Sequence, residues 1–166
     1  MSYSIEAINH LDRTAFVELL GEIFEETPAV AKSVWHNRPF KSITDLHQKM
    51  TAIVRQMSPD EQLALIRAHP ELGARTNMAE ASVQEQAGAG LGQLTEAEHE
   101  QIEALNSAYQ RKFGFPFVMA IKGYQKGEIL AAFEARLGNE KEVERGRSLL
   151  EINKIARLRL EELILD

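Results

Sequence analysis

Three short motifs hold most of the residues in this 166-residue chain whose types suit chemistry: His69-Pro70-Glu71-Leu72-Gly73, Ser82-Val83-Gln84-Glu85-Gln86 and Phe113-Gly114-Phe115-Pro116-Phe117-Val118. Pro70 disfavours the helical conformation at the residue before it, so His69 is read as the last residue its helix can hold. There the negative end of the helix dipole favours an imidazolium, a group suited to act as an acid. Plain capping of the helix's own carbonyls explains the same placement. Ser82 and Glu85 fit a capping box, with Glu85 reaching back to the Ser82 amide. Gln86 adds a second hydrogen-bonding side chain at a helix N-terminus, where unpaired amides and the positive dipole end attract anions. Capping alone and docking of an anionic substrate both stay open for this motif.

Arg159 is a separate clue. At about 100° per residue it falls on the face formed by Ile152, Ile155, Ala156, Leu160 and Leu163. A guanidinium on an apolar face needs an anion, because burying an unpaired charge is very costly. An internal carboxylate and a substrate carboxylate both satisfy that need. The run from Phe115 to Ile121 reads as extended chain between helices, whose backbone N–H and C=O groups no helix satisfies. A heterocyclic ligand with amide edges can pair with them. Trp35-His36-Asn37-Arg38-Pro39-Phe40 reads as a packing cluster. The remaining histidines, His10, His36, His47 and His99, form neither a His-x-x-x-His pair nor a His-Glu-x-x-His signature, so no metal site is expected.

Helices must position these residues, and capping signals divide the chain into them. Leu11, Ala15, Leu19, Ile23 and Phe24 keep a helical period up to Thr27-Pro28, which opens a short helix reaching Trp35. Ser42 with Asp45, Ser58 with Glu61, and Thr95 with Glu98 each predict a capping box. Gly114 is predicted to end the helix begun at Thr95. Residues 128–137 predict a further helix, and Gly138-Asn139 precedes a long C-terminal one. No second alternating segment exists to pair with the run from Phe115 to Ile121, so no sheet is expected. The predicted fold is all-α, a single-domain compact helical bundle or orthogonal array of about seven to nine helices over residues 1–166.

Composition narrows the function. The chain is 44% hydrophobic with a formal net charge of -6, and its basic residues are scattered rather than clustered, so nucleic acid is not an expected partner. No apolar run reaches the roughly 20 residues that span a bilayer, and the N-terminus lacks the pattern of a secretory signal, so no membrane association is expected. With no cysteine, disulfides and thiolate chemistry are excluded, which leaves His, carboxylates and Arg for any catalysis.

Taken in order, the Trp35…Arg38-Pro39-Phe40 block, His69-Pro70-Glu71-Leu72-Gly73, Ser82-x-x-Glu85-Gln86, Phe113-Gly114-Phe115-Pro116-Phe117-Val118 and Ile155-Ala156-Arg157-Leu158-Arg159-Leu160 resemble the 2-oxo-4-hydroxy-4-carboxy-5-ureidoimidazoline (OHCU) decarboxylases. The likeness covers nearly the whole chain. It implies an all-helical fold and cofactor-free decarboxylation of an anionic ureidoimidazoline to (S)-allantoin, the third step of urate degradation. It also implies a homodimer. By the resemblance, His69 and Glu85 are the catalytic pair. Pro70, Ser82 and Gln86 meet substrate, as do Arg159 and the backbone of Phe117, Val118, Met119, Ala120 and Ile121. The chain ends Ile164-Leu165-Asp166, without the peroxisomal tripeptide common in eukaryotic members, so a bacterial cytoplasmic location is expected. Two alternatives remain: a family member acting on another ureido or hydantoin-like acid, and a non-enzymatic helical interaction module.

Overall fold

Capping chemistry sets the helix boundaries. The computed structural model describes residues 2–73 and 80–165, with side chains given outside residues 80–83. Among the described residues there are nine α-helices, a 3-10 turn at Trp35–Asn37 and no strand; an isolated bridge pairs Tyr3 with Ile164. The all-α expectation is met.

The chain divides into two compact units, residues 1–68 with 153–166, and residues 69–152. The first holds α1 (Ile5–Asn9), α2 (Arg13–Leu20), α3 (Ala29–Val34), α4 (Ile43–Gln56), α5 (Pro59–Arg67) and the end of α9 (Lys141–Leu163). α1 was not read from the sequence; Ser4 caps it by accepting the Ala7 amide at 3.0 Å. α2 stops at Leu20, short of the Ile23 and Phe24 assigned to it by periodicity, although both are buried. In α4 the Ser42 hydroxyl accepts the Asp45 amide as predicted, but Asp45 reaches past Ser42 to the Lys41 amide at 2.9 Å. That hydrogen bond holds the Asp45 carboxyl below the usual carboxylate range. α5 has the full box: Ser58 and Glu61 exchange bonds of 3.0 and 3.2 Å, with Pro59 at the first helical position. The Ser58 amide likewise lowers the Glu61 carboxyl.

The core of this unit includes Phe16, Leu20, Phe24, Val34, Phe40, Leu46 and Met50, with the Phe16 and Phe40 rings stacked at 6.0 Å. The Trp35 block packs here. Arg38 lies 3.9 Å from the centre of the Trp35 ring and donates to the carbonyls of Trp35, Asn9 and Leu11. The guanidinium is thereby committed to three backbone acceptors, and packing is the role it fills.

The second unit contains α6 (Glu80–Gly88), α7 (Glu96–Phe113), α8 (Lys126–Leu137) and the first part of α9. Thr95 and Glu98 form the predicted capping box, and Gly114 closes α7 in the left-handed region at φ 80°. α8 starts two residues before the predicted Glu128, because Glu128 is its third residue and accepts the Gln125 amide at 3.0 Å. Tyr109 is the hub of the core. Its ring meets those of Phe113, Phe115, Phe117 and Phe133 at centroid distances of 4.4 to 5.9 Å. α7 turns its buried residues His99, Ile102, Asn106, Tyr109 and Phe113 along one stripe.

Gly114→Ala is expected to cost about 1 kcal/mol of unfolding free energy, since any Cβ is strained at that backbone conformation. Urea denaturation of the variant beside the parent measures it, and an unchanged midpoint would show that the left-handed cap contributes nothing.

Candidate active site

His69 stands beyond its helix rather than at its last position. α5 ends at Arg67, and Ala68 caps it by donating to the Ala64 carbonyl at 3.0 Å. The restriction from Pro70 falls on His69 itself, so the helix has already closed when the chain reaches it. The side chain is buried, with 7% exposure.

The turn that follows is held from several sides. The Gln86 side chain accepts the Gly73 amide at 2.9 Å and donates to the Glu71 carbonyl at 3.3 Å. Asn106, from the buried stripe of α7, donates to the Leu72 carbonyl at 2.9 Å. Gly73 has φ 68°, and a Cβ there would stand 3.3 Å from both Ile102 and Leu94. Only glycine suits both the backbone angle and the space. Gln86 therefore has a role the sequence reading did not give it, because its amide grips the turn carrying His69 and Pro70.

The second motif needs a correction. α6 begins at Glu80, so Ser82 is its third residue and not its N-cap, while Glu85 and Gln86 lie in the second turn. Glu80 and Ala81 are good helix formers and extend the helix upstream of the presumed cap. Docking of an anion on first-turn amides beside Glu85 and Gln86 loses its geometric basis. Glu85 is half-buried. The Ser82 side chain lies outside the described residues.

The segment from Phe117 to Ile121 is non-helical, as expected, and all its residues except Met119 are buried. Its backbone is not wholly open to a ligand. The Ala120 amide donates to Glu151 at 3.0 Å, the Val118 carbonyl accepts Arg136 Nη1 at 2.6 Å, and the Ile121 carbonyl accepts the Tyr124 amide at 3.0 Å. The Met119 and Ile121 amides find no hydrogen-bond partner among the described residues.

Arg159 is buried in the first unit. Nη2 meets Glu25 Oε2 at 2.9 Å, and Nη1 donates to the Glu22 carbonyl at 3.0 Å. Of the two readings of this residue, the internal carboxylate is present.

The other histidines have local roles where partners are defined: His10 Nδ1 lies 2.8 Å from the Glu6 carbonyl and His47 Nε2 lies 2.7 Å from that of Asn153. Among the described residues, no group of three His, Cys, Asp or Glu is placed to hold a metal ion.

Sequence reasoning passed over Asn106, Arg136, Glu144 and Glu151. The signal that picked out Arg159 was present for them too. Glu144, Ser148, Glu151, Ile155 and Arg159 recur every three or four residues along α9, and all are buried.

A helical chain that places a buried histidine, a helix-borne glutamate and a non-helical backbone segment within one unit has the parts of a small-molecule acid–base site. The chain belongs to the OHCU decarboxylase family, whose model matches residues 9–161. It is 46% identical over 160 residues to the 2-oxo-4-hydroxy-4-carboxy-5-ureidoimidazoline decarboxylase of Halalkalicoccus jeotgali, covering 96% of this chain and 91% of that protein. It is 42% identical over 164 residues to the uric acid degradation bifunctional protein PucL of Bacillus subtilis, covering 99% of this chain and 33% of the other. Among solved structures it resembles an (S)-allantoin synthase with a TM-score of 0.81 and 29% identity, across 98% of this chain and 54% of that one.

Two substitutions separate these roles. Gln86→Ala strands the Gly73 amide and is expected to cost about 1 to 3 kcal/mol, with a fall in kcat/KM as the His69 turn loosens. Denaturation and steady-state kinetics on one preparation read both effects, and parent values for both would remove the clamp. Glu25→Gln removes the buried charge that faces Arg159 Nη2 and is expected to cost about 3 kcal/mol. Thermal melting checks it, and a parent-like melt would show that the pair adds no stability.

Proposed function

We propose that this chain decarboxylates 2-oxo-4-hydroxy-4-carboxy-5-ureidoimidazoline to (S)-allantoin, the third step of urate degradation, and does so without a cofactor. The observation that carries the reading is the family match over residues 9–161, which runs through both units; the roles of His69, Glu85 and Gln86 rest on the resemblance of their motifs. That continuity also supports treating residues 1–166 as one functional domain. A homodimer in a bacterial cytoplasm completes the proposal and rests on the resemblance alone.

The reaction asks little covalent chemistry of the protein. The bond between the ring carbon and its carboxylate breaks, carbon dioxide leaves, and the electron pair spreads into the unsaturated ring before a proton is added to carbon. His69 in its protonated form pairs with the departing carboxylate. Glu85 engages the polar edges of the substrate, and the backbone of 117–121 with Pro70 and Ser82 orients the ring so that the breaking bond stands out of its plane. Gln86 acts by fixing the turn on which His69 sits. Delivery of the proton to one face, from His69 directly or relayed through Glu85, makes the product a single enantiomer. Arg159 keeps the substrate-contacting role implied by the resemblance, and its test is the KM of Arg159→Met.

The experiment generates the unstable substrate in place from urate with urate oxidase and hydroxyisourate hydrolase, adds this protein and follows allantoin by circular dichroism. Rapid accumulation of one enantiomer is expected. His69→Ala should lower turnover by at least about 100-fold with an unchanged helical spectrum, and Glu85→Gln should do the same if its charge is used. Racemic product at the spontaneous rate with the parent protein would refute the activity, and full turnover by either variant would remove that residue from the chemistry.

A further inference from the structure

The second unit buries a group of charges that the reaction does not call on, and they converge on one stretch of backbone. Glu144 is fully buried. One of its oxygens accepts the Tyr109 hydroxyl at 2.6 Å and Arg136 Nε at 2.9 Å, and the other accepts Asn139 Nδ2 at 3.0 Å. Arg136 is thereby oriented, with Nη1 on the Val118 carbonyl at 2.6 Å and its guanidinium 4.4 Å from the centre of the Phe117 ring. Phe117 is fixed from its other neighbour by stacking on Phe133, with centroids 4.0 Å apart and planes 7° from parallel. Two residues on, Glu151 takes the Ala120 amide through Oε1, and its Oε2 lies 3.2 Å from Arg147.

A buried cation thus holds the Val118 carbonyl and a buried anion holds the Ala120 amide. The amides of Phe117, Val118, Met119 and Ile121 have no partner among the described residues.

We propose that Arg136, Glu144 and Glu151 are positioning residues that fix the 117–121 backbone through the Val118 carbonyl and the Ala120 amide, so that its remaining amides, Met119 and Ile121 among them, are held toward the substrate ring. The proposal rests on the function given above. None of the three touches the reacting atoms. Each acts by denying the segment the freedom to slide or twist. Charged partners suit this task, because hydrogen bonds to ionised groups are shorter and stronger than neutral ones.

The test compares Arg136→Lys, Glu151→Leu and Glu151→Gln with the parent in the coupled assay, together with amide hydrogen exchange of residues 117–121. Lysine preserves the charge opposite Glu144 but cannot reach both Glu144 and Val118 with a rigid fork. Arg136→Lys and Glu151→Leu are each expected to lower kcat/KM about tenfold, mainly through KM, the size of one well-placed hydrogen bond. Exchange at Ala120 should quicken in Glu151→Leu. Glu151→Gln retains the acceptor and should restore kcat/KM to within about threefold of the parent. Should Glu151→Leu fail to fold, Arg136→Lys decides the matter alone. Folded variants with parent kcat/KM would overturn the positioning role while leaving the activity intact. A parent without turnover would overturn the activity and this role with it.

Discussion

A carboxylate shut away from water needs its lone pairs matched, and Glu144 has three donors in Tyr109, Arg136 and Asn139. Much of the second unit follows from that requirement. Tyr109 must run its hydroxyl to α9, which places its ring among four phenylalanines, and burial with the adjoining carboxylate pushes its phenol well above the ordinary tyrosine range. It stays a donor at every physiological pH. Arg136 is oriented by Glu144 and in turn reaches the Val118 carbonyl. A buried pair of this kind adds little net stability over apolar residues of equal volume, but breaking it is costly. Its value lies in permitting one arrangement of the chain around it.

The His69 turn obeys the same logic with neutral groups. Gln86 from α6 and Asn106 from α7 supply the partners that the backbone of Glu71, Leu72 and Gly73 would otherwise lack. The turn is not helical, so its amides and carbonyls have no repeating partners, and each must be met individually. Two stretches of irregular backbone, 69–73 and 117–121, are thus each tied to helices by long polar side chains rather than by packing alone.

The helices were legible because their ends are written in local chemistry. Ser58 with Glu61, Thr95 with Glu98 and Gly114 mark boundaries that depend on residues three or four positions apart. The same device misled at Ser82, where a serine and a glutamate at the right spacing sit inside a helix that Glu80 and Ala81 had already begun. α1 escaped notice because a five-residue helix shows too little periodicity to be recognised. In the site, His69 and Arg159 stood out since each broke a local rule, a helix stop and an apolar stripe. Asn106, Glu144 and Glu151 broke that second rule as well. Asn106 and Glu151 meet backbone groups more than thirty positions away and Glu144 meets the equally distant Tyr109, and no spacing rule reports such partners.

Family resemblance supplied the catalytic roles, yet the geometry redistributes the work among the residues it named. Gln86 and Arg159 both carry structural bonds, to the 71–73 turn and to Glu25. Ala120 and Val118 offer their groups to Glu151 and Arg136. A substrate whose carboxylate leaves as neutral carbon dioxide, with its electrons spread over a ring, gains most from being held at a fixed angle to the breaking bond. Directional amides on a backbone that cannot turn provide that better than a mobile charge would. In the role proposed for them, Arg136 and Glu151 hold that backbone through Val118 and Ala120 rather than meeting the anionic substrate themselves, so their charges would fix geometry without trapping the substrate in its ground state.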